Sequence, residues 1–215
     1  MILARAPVLQ RIKIGCFARI SLLAISSYTF RLFARRGKMM SATRAAFDVF
    51  RGSLHPRAPR EGVIRNVDET KLMTEDEGLA EWIDGQGRPA NPAGAAPLLT
   101  ADDCAKCSLW VVRLEDVVHA PERCDFGKSL ASGVIKHTNL TGGAPAYSGG
   151  EIIALDENTI VINGYSGRYG PRTRSELDAV ARAFADSGYG VWYMGWDDDA
   201  NRPAPFLGVL PQWVS

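Results

Sequence analysis

The chain has 215 residues, of which 46% are hydrophobic and 23% are charged. This composition is typical of a folded globular protein and excludes a wholly disordered or fibrous chain. The 25 basic residues nearly balance the 24 acidic residues, so overall charge gives no case for nucleic acid or anionic lipid as a partner. Four cysteines are too few for a disulfide scaffold.

The charges are unevenly distributed along the chain. Residues 1–38 contain eight basic side chains and no acidic one. Residues 39–215 contain 17 basic and 24 acidic side chains, a net charge of −7. We therefore expect this body to repel a nucleic-acid polymer except where basic side chains cluster locally.

Residues 1–40 are predicted to form a basic and apolar extension outside the fold. Their apolar run, residues 20–30, is shorter than the roughly 20 residues that a transmembrane helix needs. The extension is interpreted as a targeting segment, a helix over 14–36 with weak membrane association, or a non-native start before Met39 or Met40. A native extension indicates an exported or membrane-associated protein, and a start at either methionine indicates a cytoplasmic one.

Residues 41–97 are predicted to form a helical arm followed by a linker. Apolar spacing favours a short helix over residues 41–54. Thr74 and Glu77 have the spacing of a capping box, which predicts a second short helix before Gly85. Residues 85–97 are rich in Gly, Pro and Ala, which is typical of a linker.

Residues 98–215 are predicted to form one compact domain. Short β-rich runs at 109–114 and 117–120, and at 151–155 and 159–163, are separated by turn residues and predict two hairpins. A capping box at Thr173 and apolar residues at helical spacing predict a helix over residues 174–187. The pattern predicts an α+β fold, with a largely antiparallel sheet of short strands and one main packed helix.

Two Gly-rich loops have the composition of a ligand site. The first, residues 136–150, follows a short strand predicted at 134–137, and the second, residues 163–173, leads into the predicted helix, whose amino terminus favours an anion. Glycines allow close approach of a ligand to the backbone, and the polar side chains supply donors and acceptors. We predict that the two loops meet in one cleft.

His137 is predicted to be the acid/base or ligand-orienting group of this cleft, with Glu151 and Tyr169 orienting the substrate. The alternative for His137 is a hydrogen-bonded structural residue. Arg168 is predicted to bind an anion and to contribute little to stability, because glycines flank it. The full set of ligand-binding candidates is Asn139, Thr141, Tyr147, Ser166, Arg168 and Arg172.

The cysteines leave three interpretations open. Cys104 and Cys107 form a CxxC pair, and His119 and Cys124 follow, which together would supply four zinc ligands. No second CxxC is present, and the pair precedes a strand instead of opening a redox helix. Ordinary small cysteines are the favoured interpretation, so no metal site is predicted, and the sequence assigns no cofactor.

Residues 109–190 resemble uncharacterised bacterial proteins that carry HTNLTGG and SGRYGPR signatures. More distantly, they are similar to the conserved region of plant IQ-motif calmodulin-binding proteins. The positions that carry the resemblance are His137, Gly142, Gly143, Gly149 or Gly150, Ser166, Gly167, Tyr169, Pro171 and Thr173. Arg168 departs from the plant pattern, which has His there. The resemblance implies a fold and a site more than a reaction.

The leading functional hypothesis is a small bacterial enzyme of effector or toxin type that acts on a nucleotide or another phosphate-bearing ligand. A His, a Tyr and a carboxylate are also similar to the His-Tyr-Glu arrangement of ADP-ribosyltransferases, although Glu151 precedes Tyr169 here. The alternative is a non-catalytic module that binds a protein or peptide through the same two loops.

Overall fold

The computed structural model describes residues 45–215. Their centre is a seven-stranded sheet with the strand order β1-β3-β2-β4-β5-β6-β9, and β7 and β8 form a separate hairpin. All strand pairs are antiparallel except β5 and β6, which are parallel. The strands are β1 (Ala80–Glu81), β2 (Ser108–Val112), β3 (Val117–Pro121), β4 (Ser148–Ala154), β5 (Thr159–Ile162), β6 (Gly190–Tyr193), β7 (Trp196–Asp197), β8 (Arg202–Pro203) and β9 (Gln212–Trp213).

Four α-helices accompany the sheet, and the predicted α+β class is confirmed. Helix α1 covers residues 45–52, and α2 (Ala101–Cys104) and α3 (Asp125–Lys128) are single turns. Helix α4 (Arg174–Asp186) is the longest of them. Three short 3-10 helices lie at Val67–Thr70, Glu75–Glu77 and His137–Leu140. Within residues 45–215, no helix combines the length and apolar character needed to cross a lipid bilayer.

Helix α4 forms where the sequence predicts it, because its cap and its apolar stripe agree. The Thr173 hydroxyl accepts a hydrogen bond from the backbone N–H of Glu176 (3.2 Å), which satisfies one first-turn donor. The stripe Leu177, Val180, Ala181 and Phe184 is completely buried against one face of the sheet. Gly188 ends the helix with a φ of 99°, a conformation that favours glycine.

The predicted arm packs into the same body as the predicted domain. Phe47 of α1 is fully buried, and its ring makes an edge contact with Phe184 at a centroid distance of 5.0 Å. Trp82 contacts Phe184 at the same distance, and β1 pairs with β3 in the main sheet. The boundary predicted at residue 98 therefore does not separate two packing units in the described part of the chain. The predicted extension 1–40, and residues 41–44 of the predicted arm, lie outside the described residues.

The opposite face of the sheet is also covered. Successive side chains of a strand point to opposite faces, so Trp110 and Val112 join the core under α4, whereas Leu109 and Val111 join a second core. This second core contains residues from both Gly-rich loops and from the segments before the first: Met73, Ile135, Leu140, Ala146 and Tyr169. Both faces of the central strands are therefore buried.

Two local predictions are wrong. Residues 134–137 do not form a strand, because the Asn139 side chain accepts a hydrogen bond from the Lys136 backbone N–H (2.7 Å) and turns the chain into the 3-10 helix His137–Leu140. Glu77 caps Thr74 as predicted, with its carboxylate 2.9 Å from the Thr74 backbone nitrogen. However, only a 3-10 turn follows, and Gly78 at a φ of 102° directs the chain into β1.

Replacing Phe47 by alanine tests whether the predicted arm belongs to the core. We expect Phe47→Ala to lower the free energy of unfolding by about 3–5 kcal/mol, because it leaves a cavity beside Phe184. Urea unfolding measures this change. Val49→Ala is the matched control, since Val49 lies in the same helix and is 80% exposed. Equal stabilities of the two variants would show that α1 contributes nothing to the fold.

Candidate functional site

Strand β4 carries two adjacent glycines where both Gly-rich loops meet the sheet. A Cβ on Gly149 would lie 3.2 Å from His137 Cδ2 and 3.3 Å from Tyr169 Cβ. A Cβ on Gly150 would lie 2.0 Å from the carbonyl oxygen of Asn163, a distance that the backbone cannot accommodate. The Gly149 N–H also donates to the Tyr169 carbonyl (3.0 Å). The two loops therefore contact each other through this strand.

His137 lies inside this contact and is 6% exposed. Its Nε2 is 2.9 Å from the Gly150 carbonyl oxygen, and because a carbonyl only accepts, Nε2 carries the proton. Burial lowers the pKa of His137 to about 4, the bond to Gly150 opposes this shift, and the positive charge of Arg168 adds to it. The imidazole is therefore neutral at pH 7 and holds the first loop to strand β4.

The other predicted residues of the first loop are held by internal hydrogen bonds. The Asn139 amide donates to the carbonyls of Asp68 and Lys71, both at 2.8 Å, and is fully buried. The Thr141 hydroxyl lies 2.8 Å from the Tyr169 hydroxyl, which itself donates to the Ala144 carbonyl (2.8 Å). These groups stabilise the loop through bonds within the protein.

Tyr147 and Glu151 are directed to different parts of the structure. Tyr147 is half-buried and packs against the core under α4. The Glu151 carboxylate accepts a hydrogen bond from the Asn163 amide (2.9 Å) on the face opposite to that core. Burial raises the pKa of Glu151, the Asn163 bond partly offsets it, and the negative charge of Glu122 adds to the rise.

Arg168 is buried in an ion pair, which differs from the exposed anion-binding role predicted for it. Its guanidinium pairs with the Glu69 carboxylate, and the two side chains are 13% and 7% exposed. It also donates to the Val63 carbonyl (3.4 Å), while its Nε has no partner among the described residues. Removing either charge would leave the other buried without a partner.

A surface cleft of about 550 Å³ lies beside the second loop. We call it the arginine cleft, because three arginines contribute to its walls. Ser166 and Arg172 are the predicted site residues that line it; His137, Glu151 and Tyr169 do not. The complete lining is Arg60, Gly164, Tyr165, Ser166, Gly167, Gly170, Pro171, Arg172, Trp196, Asn201, Arg202 and Pro203.

The three arginines of the cleft have no carboxylate partner in the described part of the chain. The guanidinium groups of Arg60, Arg172 and Arg202 make no ion pair or side-chain hydrogen bond with a residue among 45–215. Glu176, next to the second loop, is already bound by Arg57 at 3.0 and 3.2 Å. The arginines that do have carboxylate partners are Arg51, Arg57, Arg88, Arg113, Arg168 and Arg174.

The β7–β8 hairpin forms one wall of the cleft. Arg202 Cζ lies 5.6 Å from the centroid of the Tyr165 ring, a cation–π contact between the hairpin and the second loop. An exposed ion pair between Arg174 and Asp198 joins the same hairpin to the start of α4. Asn201 has a φ of 48°, a left-handed conformation that Asn tolerates in tight turns.

Gly167 lines the cleft, and the fold does not require a glycine at this position. Its φ lies outside the left-handed region, and an added Cβ would meet no atom within 4 Å. By contrast, a Cβ on Gly170 would lie 2.6 Å from the Ser166 carbonyl oxygen. The absence of a side chain at position 167 therefore leaves space in the cleft, although packing with neighbouring residues does not require it.

The four residues considered as zinc ligands do not form a site. No group of three or more His, Cys, Asp or Glu residues in the described part of the chain is arranged to hold a metal ion. His119 packs against the Trp82 ring, and the Cys124 sulfur accepts a hydrogen bond from the Gly127 N–H (3.4 Å). Burial raises the pKa of Cys107 to about 12, so its thiol is a poor nucleophile.

Sequence reasoning missed Arg60, Asn201 and Arg202. Arg60 lies within the predicted arm and linker, residues 41–97, and the other two lie beyond the helix predicted over residues 174–187. The available signal was the excess of basic residues in residues 55–65, within an otherwise acidic body. That signal does not say which part of the surface these side chains reach.

The buried neutral His137 should make stability depend on pH. The unfolded chain binds a proton at His137 near pH 6.5, whereas the folded protein binds it only near pH 4. Stability from this group is therefore complete above pH 6.5 and is lost as the pH falls toward 4, by on the order of 3 kcal/mol. Urea unfolding at pH 7 and pH 5 checks this. A His137→Gln variant that loses as much stability as the wild type over this interval would contradict the prediction.

Arg168→Ala should lower the free energy of unfolding by about 3–5 kcal/mol, because it leaves the Glu69 carboxylate buried without a partner. Thermal and urea unfolding measure the loss. The double variant Arg168→Met/Glu69→Leu should recover most of it, since both charges are removed. Arg174→Ala, which breaks an exposed pair, serves as the control and should leave stability nearly unchanged.

Comparison with known proteins gives no match to a family model, to a curated protein or to a solved structure. The resemblance of residues 109–190 to bacterial and plant proteins stays a prediction.

Proposed function

We propose that the protein binds a small phosphate-bearing anion in the arginine cleft. The observation that carries the proposal is that one cleft is lined by three arginines, Arg60, Arg172 and Arg202, none of which has a carboxylate partner among the described residues. The residues that line this surface include no Asp or Glu. A guanidinium presents a planar fork of donors that matches the oxygens of a phosphate group.

The absence of carboxylate partners for these arginines is informative because the surrounding protein is acidic. Residues 39–215 carry a net charge of −7, so carboxylates are in excess over basic side chains. Six of the twelve described arginines have carboxylate partners, and three of the six that have none line the cleft. Like charges that share one surface repel each other, and a bound anion relieves that repulsion.

The shape of the cleft favours a small ligand over a protein partner. Its volume of about 550 Å³ lies within the range of small-molecule pockets, roughly 300–1,000 Å³. A standard protein interface needs a surface of about 800 Å² on each partner, which a concave cleft of this size does not supply. The predicted peptide-binding alternative thus has less support.

The lining residues support binding more than acid–base catalysis. The cleft is lined by Arg, Gly, Tyr, Ser, Pro, Trp and Asn, none of which ordinarily titrates near pH 7. His137 lies outside the lining and is held by Gly150. The enzyme predicted from the sequence therefore stays a prediction, and the proposal concerns ligand binding.

Calorimetric titration with inorganic pyrophosphate at low salt tests the proposal. We expect the full-length wild type to bind this probe, and Arg172→Gln to bind it about tenfold or more weakly, because a charge-assisted hydrogen bond is lost. Gly167→Leu should also weaken binding at unchanged melting temperature, since its side chain fills open space in the cleft.

Arg182→Gln is the matched control for the titration. Arg182 is exposed on helix α4 and has no ion-pair partner among the described residues, but it lies outside the cleft. Its replacement removes the same net charge and should leave affinity nearly unchanged. Equal affinity losses in Arg172→Gln and Arg182→Gln would mean that only overall charge matters and would reject the cleft as the site.

A further inference from the structure

We infer that the anion is a free mononucleotide, with its base stacked on the aromatic wall of the arginine cleft and its phosphate bound at Ser166 and Gly167. This inference rests on the proposed function and specifies its ligand class. It is carried by the two chemically different surfaces that the cleft contains.

The aromatic surface comes from Tyr165 and Trp196. Tyr165 is 40% exposed, and Arg202 lies over its ring. Trp196 lines the same cleft and is half-buried. Nucleic-acid bases stack on aromatic rings and on guanidinium planes. Inorganic phosphate and a sugar phosphate have no aromatic base that could stack in this way.

The polar surface lies in the turn of the second loop. The Ser166 hydroxyl accepts hydrogen bonds from the N–H groups of Arg168 (3.3 Å) and Tyr169 (3.1 Å), which leaves its own proton free to donate to a ligand. The backbone N–H of Gly167 has no partner among residues 45–215. Since no side chain covers Gly167, a phosphate oxygen can approach both donors closely.

Asn201 adds a group that suits the edge of a base. It lines the cleft, and its side-chain amide makes no hydrogen bond with another described residue. An amide presents one donor and one acceptor side by side, the arrangement that pairs with the edge of adenine. A phosphate would use only its donor.

The acidic body argues for a free nucleotide over a nucleic-acid chain. Each further phosphate of a polymer would leave the cleft and face a surface whose net charge is negative, at −7 for residues 39–215. A mononucleotide places all its phosphate charge beside the three arginines.

Equilibrium binding of adenosine 5′-monophosphate and of ribose 5-phosphate to the full-length protein tests the inference. We expect the nucleotide to bind about 10-fold or more tightly than the sugar phosphate, because only the nucleotide stacks. Tyr165→Leu should remove most of this advantage, measured as the ratio of the two affinities. Trp196→Leu tests the same ratio of affinities at the second aromatic side chain. A melting curve of each variant verifies that it is folded.

The outcomes separate this inference from the proposed function. Equal affinities for the two ligands, or an unchanged advantage in both aromatic variants, would overturn the nucleotide assignment while the anion site stands. Failure of these ligands and of pyrophosphate to bind would overturn the proposed function itself. A 5′-phosphorylated oligonucleotide that binds more tightly than the mononucleotide would overturn the assignment to a free nucleotide.

Discussion

The structure depends on the close packing of strand β4, at Gly149 and Gly150, against the two Gly-rich loops. One glycine admits the His137 ring and the Tyr169 Cβ, and the other lies against the Asn163 carbonyl. A side chain at Gly150 would collide with the Asn163 backbone, and a side chain at Gly149 would press on the His137 ring and on Tyr169. Because the second loop is held here and by the buried Arg168–Glu69 pair, its outer turn is presented at a defined place on the surface. The arginine cleft is therefore a product of packing several residues away from it.

Much of the fold could be predicted because its signals are local. The cap at Thr173, the apolar stripe of α4 and the turn residues of the two hairpins each act within a few residues of the chain. The position of residues 45–97 could not be predicted in this way. Apolar spacing predicts a helix around Phe47, but it does not indicate that Phe47 and Trp82 pack on the distant Phe184.

The candidate site could be predicted even less well, because the positions of its side chains depend on contacts between distant parts of the chain. Composition identified the second loop as polar and Gly-rich, but it did not indicate where each side chain points. Arg168 and Arg172 stand four residues apart in that loop, and the first is buried with Glu69 while the second lines the cleft. The difference depends on an acidic residue almost a hundred positions earlier, which no local pattern connects to the loop.

The contact between α1 and α4 has a consequence for synthesis of the chain. Phe47 leaves the ribosome long before Phe184, the ring against which it packs. Since translation proceeds from the amino terminus, the core around Phe47 and Trp82 cannot be completed until Phe184 has emerged. Folding of this body therefore depends on late, long-range closure, and its early apolar segments stay accessible to chaperones for most of the time that translation takes.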